Sequence, residues 1–349
     1  MLRKIVSLLS VLAIFTGILC SCSNTRQENI SLNGKEYSAD EVVLEIGEHK
    51  VSLDFFRYSF LTVKATLEEN GTTDFTKKEN AELLKKETLE QTKYMFAVLD
   101  LAKKYGYSLS KENLDEIDST MKNTFDSAGS ASDYLALLEQ NNLTNEVYKE
   151  VLEINNLGTL MSAALFGTDK KESKIVFTEK EAIDDYSKNN YRLMNIYFAV
   201  DSIDEDGVPL SDSEIEKNKS AAEKKANTAI KEIKNGASFE DTMKKYMGND
   251  AYESDLQSYY DPKAISEPLG YDVSKLKVGE TSELIFAQNC YYIIHRLECD
   301  EEYLSENSSS LVSVYSQKLY EEEVNKISDS LKITETKLYN QIAFDSFSK

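Results

Sequence analysis

The chain has 349 residues, enough for two domains, and 41% of them are hydrophobic, as in an ordinary globular protein. Its 61 acidic residues outnumber its 40 basic residues, which gives a net charge of −21 at pH 7. A surface this acidic repels nucleic acid and anionic lipid headgroups, so the composition excludes a nucleic-acid-binding protein. We interpret the charge first of all as a source of solubility.

Residues 1–22 have the pattern of an export signal. Arg3 and Lys4 form a basic end, and the apolar stretch that follows covers residues 5–19. A membrane-spanning helix needs roughly 20 apolar residues, so this run of about fifteen is too short to span. The pattern therefore predicts a secretory signal.

The end of this segment, Leu-Cys-Ser-Cys at residues 19–22, resembles a bacterial lipobox. Cys22 follows a small serine, whereas Cys20 follows a leucine, so the resemblance implies that Cys22 is the lipidated cysteine. Acyl chains on Cys22 would anchor the protein at the extracytoplasmic face of the cell membrane. The alternative is ordinary cleavage with a free N-terminus. Residues 23–35 are polar and are predicted to be a tether.

Two further cysteines, Cys290 and Cys299, are predicted not to form a disulfide with each other. On one extended strand they would lie about 30 Å apart, at roughly 3.3 Å per residue. A disulfide requires Cα atoms within about 7 Å. We therefore expect the stability of this protein to come from its hydrophobic core.

Residues 36–190 have the periodicity of a helical domain that begins with a small hairpin. Residues 42–51 predict the hairpin, and Ser52 is placed to cap the first helix. Apolar residues spaced by three and four predict further helices at 81–105, after Ser110, at 132–140 and from Thr144. Thr178 and Glu181 form a capping box for a short last helix.

Residues 191–300 have a different pattern, in which strands and helices are mixed. Strands are predicted at 191–200 and 281–298, and helices after Ser211 and Ser238. This order predicts a compact sheet with helices packed on it. The predicted fold class is therefore α+β, with an α/β module inserted in a helical frame.

Five short segments of this module, in the same order, resemble landmarks of the parvulin family of peptidyl-prolyl isomerases. They are the first strand at 192–198, the turn into the second helix at 235–246, the family's GGDLGWF segment at 254–260, its LKVGEVSEP turn at 276–284 and its GYHII strand at 290–294. The resemblance implies a divergent parvulin-like domain over residues 191–300.

The flanking segments resemble PrsA/SurA-type extracytoplasmic folding factors. The matching pieces are a hairpin at 45–51, the end of a long helix at 101–110 and a helix start at 141–148. After the module, residues 301–331 predict an amphipathic helix and residues 332–336 a short strand. In the family the C-terminal helix packs on the N-terminal domain, so the resemblance implies that residues 301–349 complete the domain formed by 36–190.

The resemblance also implies which residues carry the chemistry. Parvulins place two histidines and an acid or thiol around the prolyl bond, and these positions fall on Asn195, Tyr292 and near Asp250. Both histidines are replaced, so we expect a weak or inactive isomerase; the alternative is an active one, because Asn and Tyr still hydrogen-bond. His295 lies three residues beyond Tyr292, so it faces the other side of the strand, where we expect it to be exposed.

The family's apolar cup for the proline ring is the second part of the implied site. It falls on Ile265 and Leu269, with Ser274 where the family has an aromatic residue. Tyr259 and Phe286 are the aromatic candidates for substrate contacts. A cup with serine in place of an aromatic residue offers the proline ring less apolar surface than the family's cup does. This again favours weak isomerase activity.

The sequence contains no Gly-rich phosphate loop and no Cys/His metal spacing, so we expect no cofactor and no metal. The resemblances imply a membrane-anchored folding factor that binds unfolded or partly folded exported proteins, and the acidic surface would attract basic clients. A small-solute-binding lipoprotein is the less favoured alternative, because repeated βαβ units are not visible. The sequence leaves the clients and the oligomeric state open, a homodimer included.

Overall fold

The computed structural model describes residues 29–169, 173–204 and 206–347, and it confirms the α+β fold class. The chain divides into two compact units. Unit 1 contains the described residues up to Ile175 and those from Ser316 onward, and unit 2 is Val176–Tyr315. The predicted export signal and the predicted lipidation site, Cys22, lie outside the described residues.

The helices are α1 (Leu53–Glu69), α2 (Lys78–Tyr105), α3 (Lys111–Ser127), α4 (Ala131–Gln140), α5 (Asn145–Leu165), α6 (Glu179–Asn189), α7 (Asp212–Lys234), α8 (Phe239–Met247), α9 (Asn249–Asp255), α10 (Pro262–Leu269), α11 (Glu301–Glu306) and α12 (Ser308–Ser330). The strands are β1 (Asn29–Leu32), β2 (Lys35–Ser38), β3 (Val42–Ile46), β4 (His49–Ser52), β5 (Phe166–Gly167), β6 (Ile175–Val176), β7 (Tyr191–Ala199), β8 (Tyr259–Tyr260), β9 (Ile285–Ala287), β10 (Cys290–Arg296) and β11 (Ile333–Glu335).

Helices α3 and α5 of unit 1 begin after Ser110 and Thr144, as predicted, whereas the Ser52 side chain makes no capping hydrogen bond at the start of α1. The backbone N–H of Asn113 donates to the Ser110 hydroxyl at the start of α3, and α2 ends at Gly106, whose φ of 69° favours glycine. Helices α1 and α2 pack on each other, and α5 packs on both. Their core is aromatic and aliphatic, with fully buried side chains that include Phe55, Phe56, Phe60, Met95 and Leu101.

A hairpin lies in part of the segment that was predicted to be a tether. Part of the predicted tether over 23–35 is wrong, because the strand β1 starts at Asn29 and pairs with β2 as a hairpin. Its alternate residues Ile30 and Leu32 are almost completely buried. Two apolar side chains at period two are enough to fix one face of a short strand on a core.

The C-terminal residues complete the core of unit 1. Strand β11 pairs antiparallel with β3, with Ile333 opposite Ile46. The rings of Phe56 and Tyr339 lie 5.6 Å apart. The helix predicted over 301–331 is in fact two helices, α11 and α12, because the helix is interrupted at Asn307.

Unit 2 is built on an antiparallel sheet with the strand order β8-β7-β10-β9. One face packs on α7 and α8, through a cluster that includes Ile196, Ile293 and Met243. The other face packs on α10 and a 3-10 turn at Val273–Lys275, through Leu193 and Ile294. Burial of both faces explains the nearly continuous apolar pattern of β10.

The strand predicted over 281–298 is a hairpin and not one strand. β9 and β10 are joined by a two-residue turn at Gln288 and Asn289, whose φ values are 51° and 55°. Two-residue hairpin turns require this left-handed conformation. The pair Gln-Asn is not the Asn-Gly signature of such a turn, so the sequence did not reveal it.

The boundaries of unit 2 are wider than the predicted 191–300. Helices α6 and α11, which the sequence analysis assigned to the helical domains, both belong to unit 2. Aromatic contacts hold them there: the Tyr259 ring lies 5.7 Å from Tyr186 and 6.1 Å from Tyr303.

Candidate functional site

Asn195 and Tyr292 lie on the same face of the unit 2 sheet. Tyr292 is directly opposite Tyr197, and Asn195 is directly opposite Ile294. Directly opposite residues share a face, and each strand alternates, so Asn195 and Tyr292 are diagonal neighbours. Cα atoms in such a pair are roughly 7–8 Å apart. The structure therefore brings together two positions that are almost a hundred residues apart in the chain.

The carboxylate beside Asn195 is Asp255 and not the predicted Asp250. The Asp255 Oδ2 atom accepts hydrogen bonds from the Asn195 side-chain Nδ2 at 2.8 Å and from its backbone N–H at 3.2 Å. Burial raises the pKa of Asp255, although the hydrogen bonds from Asn195 oppose this shift. Asp250 lies in the first turn of α9 and is exposed.

Tyr292 is a neutral hydrogen-bond donor in this site. Partial burial raises its pKa first, followed by a hydrogen bond with the Cys290 thiol and by the neighbouring Tyr197. A phenol with a raised pKa keeps its proton at neutral pH. Cys290 is buried two residues earlier on the same face, and burial raises the pKa of its thiol. Tyr197 is 48% exposed and marks the open side of the site.

The two predicted cup residues lie on the same face as Asn195. Ile265 and Leu269 are half-buried on α10 and pack on the cluster that also contacts Tyr292. Ser274 is exposed, and its hydroxyl donates to Asp272. Tyr271, three residues before Ser274, is an aromatic side chain that packs on this same cluster.

Tyr259 is not part of this face. Its hydroxyl accepts a hydrogen bond from the backbone N–H of Asp300 at 2.8 Å, and its ring stacks on Tyr303. These contacts make Tyr259 a structural residue that holds α11. The next residue, Tyr260, is the one that packs on the cluster of Ile265.

Phe286 lies on the opposite face. On one continuous strand it would share a face with Tyr292, but the turn between β9 and β10 places it opposite Tyr291. Its ring lies 4.5 Å from that of Tyr291, which packs on α7. Phe286 is therefore wrong as a contact for a substrate held by Asn195 and Tyr292.

His295 faces away from Tyr292, as the strand alternation requires, but it is not exposed. It is half-buried and stacks on Phe239 with ring centroids 4.9 Å apart, and its Nδ1 lies 2.9 Å from the Thr281 hydroxyl. Burial lowers its pKa, which favours the neutral ring. The second histidine, His49, is in unit 1, where its Nε2 contacts Asp100 at 2.9 Å.

The chemistry available at this face is binding and hydrogen bonding. It offers a phenol donor, a carboxamide with donor and acceptor atoms, and an apolar wall. Within the described ranges, no three His, Cys, Asp or Glu side chains are grouped so that they could hold a metal ion. None of the helices in the described part of the chain is long and apolar enough to cross a bilayer.

Comparison with solved structures gives PrsA proteins, the family that the sequence resembles. PrsA from Bacillus subtilis is 18% identical, with 89% of this chain and 100% of that chain covered and a TM-score of 0.26. PrsA from Bacillus cereus, a peptidylprolyl isomerase by its description, is 17% identical, with 89% and 100% covered and a TM-score of 0.33. The foldase protein PrsA from Streptococcus pneumoniae is 18% identical, with 72% and 87% covered and a TM-score of 0.26.

No family model matches the chain, and no curated protein matches it. Structural similarity at these identities and TM-scores carries no argument about function.

Proposed function

We propose that this chain is a membrane-anchored extracytoplasmic folding factor of the PrsA/SurA type, in which unit 2 is a divergent parvulin-like domain. One observation supports this most strongly. The resemblance assigns Asn195, Tyr292, Ile265 and Leu269 to a parvulin site. Asn195 and Tyr292 lie on one face of the sheet, and Ile265 and Leu269 of α10 pack on the apolar cluster of that face. Because they come from three different elements, chance placement on a shared face would be unusual.

The geometry favours slow prolyl isomerisation by unit 2. The reaction needs an apolar cup and polar groups around the twisting carbonyl, and it needs no nucleophile. Tyr292 can donate one hydrogen bond to that carbonyl, and Asn195 can donate or accept another. Loss of one well-placed polar group commonly costs several kcal/mol of barrier lowering, and here both family histidines are replaced.

An active isomerase is the alternative, and one observation favours it. Tyr292 keeps its proton at neutral pH, and it is only half-buried, so its hydroxyl can reach a bound peptide. A proline-switch assay on the full chain distinguishes the two possibilities. A rate equal to that of ordinary parvulins would establish the active enzyme.

We place client binding on the helices of unit 1, where unfolded exported polypeptides would dock through apolar side chains. Leu114 on α3 is one such side chain, since 37% of it is exposed. The net charge of −21 adds an attraction for basic segments of a client. A lipid on Cys22 would hold this surface at the membrane, where exported chains emerge.

The test compares two classes of ligand. The protein should suppress the aggregation of a chemically unfolded client at a few equivalents, and a panel of small solutes should leave its melting temperature unchanged. A solute-binding lipoprotein would show the reverse: a large thermal shift with one solute and no protection of the client. That result would overturn the folding-factor proposal.

A further inference from the structure

The contact between Asp255 and Asn195 extends the sheet at the point where β8 ends. β8 pairs with β7 at Tyr191 and Arg192, and one more backbone hydrogen bond, from the Leu193 N–H to the Ser258 carbonyl at 3.4 Å, continues the pairing. Beyond it, the Asp255 side chain takes the place of a strand, because its Oδ2 atom accepts the Asn195 backbone N–H at 3.2 Å. The same oxygen accepts the Asn195 side-chain Nδ2 at 2.8 Å. One carboxylate thus holds both the backbone and the side chain of a site residue.

This arrangement fixes which way the Asn195 carboxamide points. A carboxylate can accept hydrogen bonds but cannot donate them, so the amide nitrogen has to face Asp255. The Oδ1 atom and the second N–H of Asn195 are then left for other partners. A hydrogen bond to a charged acceptor is stronger than a neutral one, so it holds the amide more firmly.

Asp255 is also placed differently from the other acidic residues of α9. It is half-buried, and its hydrogen-bond donors are the two N–H groups of Asn195. Glu253 on the same helix is exposed and accepts from Asn249, within the helix itself. Burying a carboxylate has a cost, and that cost needs an offsetting interaction, which Asn195 supplies.

We propose that Asp255 is a positioning residue of the unit 2 site, which orients the Asn195 carboxamide toward a bound prolyl peptide. The proposal rests on the proposed function of unit 2. Asp255 acts through Asn195 and does not itself touch the peptide. A side chain that is held before the peptide arrives does not have to be ordered during the reaction, so orientation should affect the isomerisation step more than binding.

The experiment uses the full chain and an isotope-labelled Ala-Ala-Pro-Phe peptide. Exchange NMR measures the dissociation constant and the cis–trans exchange rate of the bound peptide in one sample. Asp255→Ala should lower that exchange rate by about tenfold and change the dissociation constant by less than about twofold. Glu253→Ala is the matched control on the same helix and should change neither quantity.

Two more variants separate positioning from a general structural effect. Asp255→Asn can still accept the bond from the Asn195 Nδ2 atom, so it should keep the exchange rate within about threefold of the wild type. If Asp255 acts through Asn195, then adding Asp255→Ala to Asn195→Ala should cause no further loss, because the two effects are not additive. Asp255→Asn also serves as the test if Asp255→Ala does not fold.

The outcomes are distinguishable. An Asp255→Ala variant with the wild-type exchange rate, or a loss that persists in the Asn195→Ala background, overturns the positioning role and leaves the proposed function standing. A wild type that binds the peptide but shows no detectable cis–trans exchange also overturns the positioning role and leaves the proposed function standing. A wild type that neither binds nor exchanges the peptide overturns the role of unit 2 in prolyl recognition, and the positioning role with it.

Discussion

In the proposed isomerase, we expect two side chains, Asn195 and Tyr292, to limit the rate at which unit 2 isomerises a prolyl bond. They stand at the positions where parvulins have histidines, and the structure places them on one sheet face. We predict that Asn195→His together with Tyr292→His raises the rate on a prolyl peptide by about tenfold or more, because positioned acid–base groups contribute at least that much. A protease-coupled or NMR exchange assay measures the rate.

Tyr197→His is the matched control for this double variant. It adds an imidazole on the same face, directly opposite Tyr292, but at the exposed rim. It should change the rate by less than about twofold. The prediction would be contradicted if the unmodified protein already ran at ordinary parvulin speed and Tyr292→Phe abolished the activity.

A second residue-scale prediction concerns Glu150 in unit 1. Burial, together with the smaller effects of the charges of Asp54 and Glu153, raises its pKa to about 7. The folded state therefore holds this proton more tightly than the unfolded state. The resulting stabilisation is complete below about pH 4.5 and is lost as the pH rises through 7.

Glu150→Gln removes this titration. We expect it to increase the free energy of unfolding at pH 8 by about 1–3 kcal/mol, and to change it little at pH 4.5. Glu146→Gln, an exposed position on the same helix, is the control and should have no such pH dependence. Urea denaturation at both pH values measures the difference, and an equal effect at both would refute the assignment.

At the scale of elements, the packing of α5 against α12 explains a glycine inside a helix. A Cβ atom added at Gly158 would lie 2.8 Å from the Tyr320 hydroxyl oxygen, and its next neighbours, the Tyr320 Cζ and Val98 Cγ1 atoms, are 3.8 Å away. Glycine normally weakens a helix by about 1 kcal/mol relative to alanine. The Tyr320 hydroxyl oxygen is thus the atom that excludes alanine, the better helix former, from position 158.

A double-mutant cycle tests this explanation. Gly158→Ala alone should destabilise the protein by about 1 kcal/mol, because the Tyr320 side chain has to shift. In a Tyr320→Phe background, the same change should stabilise it by about 0.5–1 kcal/mol. Denaturant unfolding of the four proteins measures the coupling. Equal effects of Gly158→Ala in both backgrounds would show that some other atom excludes the side chain.

Elements with local signals could be predicted, and those that depend on distant partners could not. The helix after Thr178 begins where its capping box predicted, and a helix follows Ser110 as predicted, because a cap is made by residues three apart. The β9–β10 turn was missed, since Gln288 and Asn289 carry no strong turn signature. That single omission also put Phe286 on the wrong face, because a two-residue turn changes which residues share a side.

For the candidate site too, some residues could be predicted from the sequence and others could not. Asn195 and Tyr292 were found because they lie inside two segments that resemble the family, 192–198 and 290–294. Ile265 and Leu269 were placed by their position between two other such segments, 254–260 and 276–284. Asp255 was missed, since its partner Asn195 is 60 residues away and no spacing rule links them. Tyr259 was predicted in place of Tyr260. Neighbouring strand residues point to opposite faces of a sheet, and the sequence does not show which of the two faces the candidate site.

For the whole molecule, the predicted lipid anchor at Cys22 would determine where the protein works. We predict that Cys22→Ser moves the protein from the membrane fraction to the soluble fraction, because two or more acyl chains are needed for stable anchoring. Cys20→Ser is the control and should leave the protein on the membrane. Fractionation followed by mass spectrometry of the mature N-terminus measures both. The reverse pattern would assign the lipid to Cys20.

The pairing of β11 with β3 has a consequence for how the protein is made. A nascent chain leaves the ribosome and the export channel from its N-terminus, so β3 emerges long before Ile333, its partner for Ile46. All residues of unit 2 emerge before β11 does. Until then Phe56 lacks the Tyr339 ring that covers it. The newborn protein is therefore an incomplete chain with an open core for most of its synthesis, and it passes through the same vulnerable state as the clients that we propose it protects.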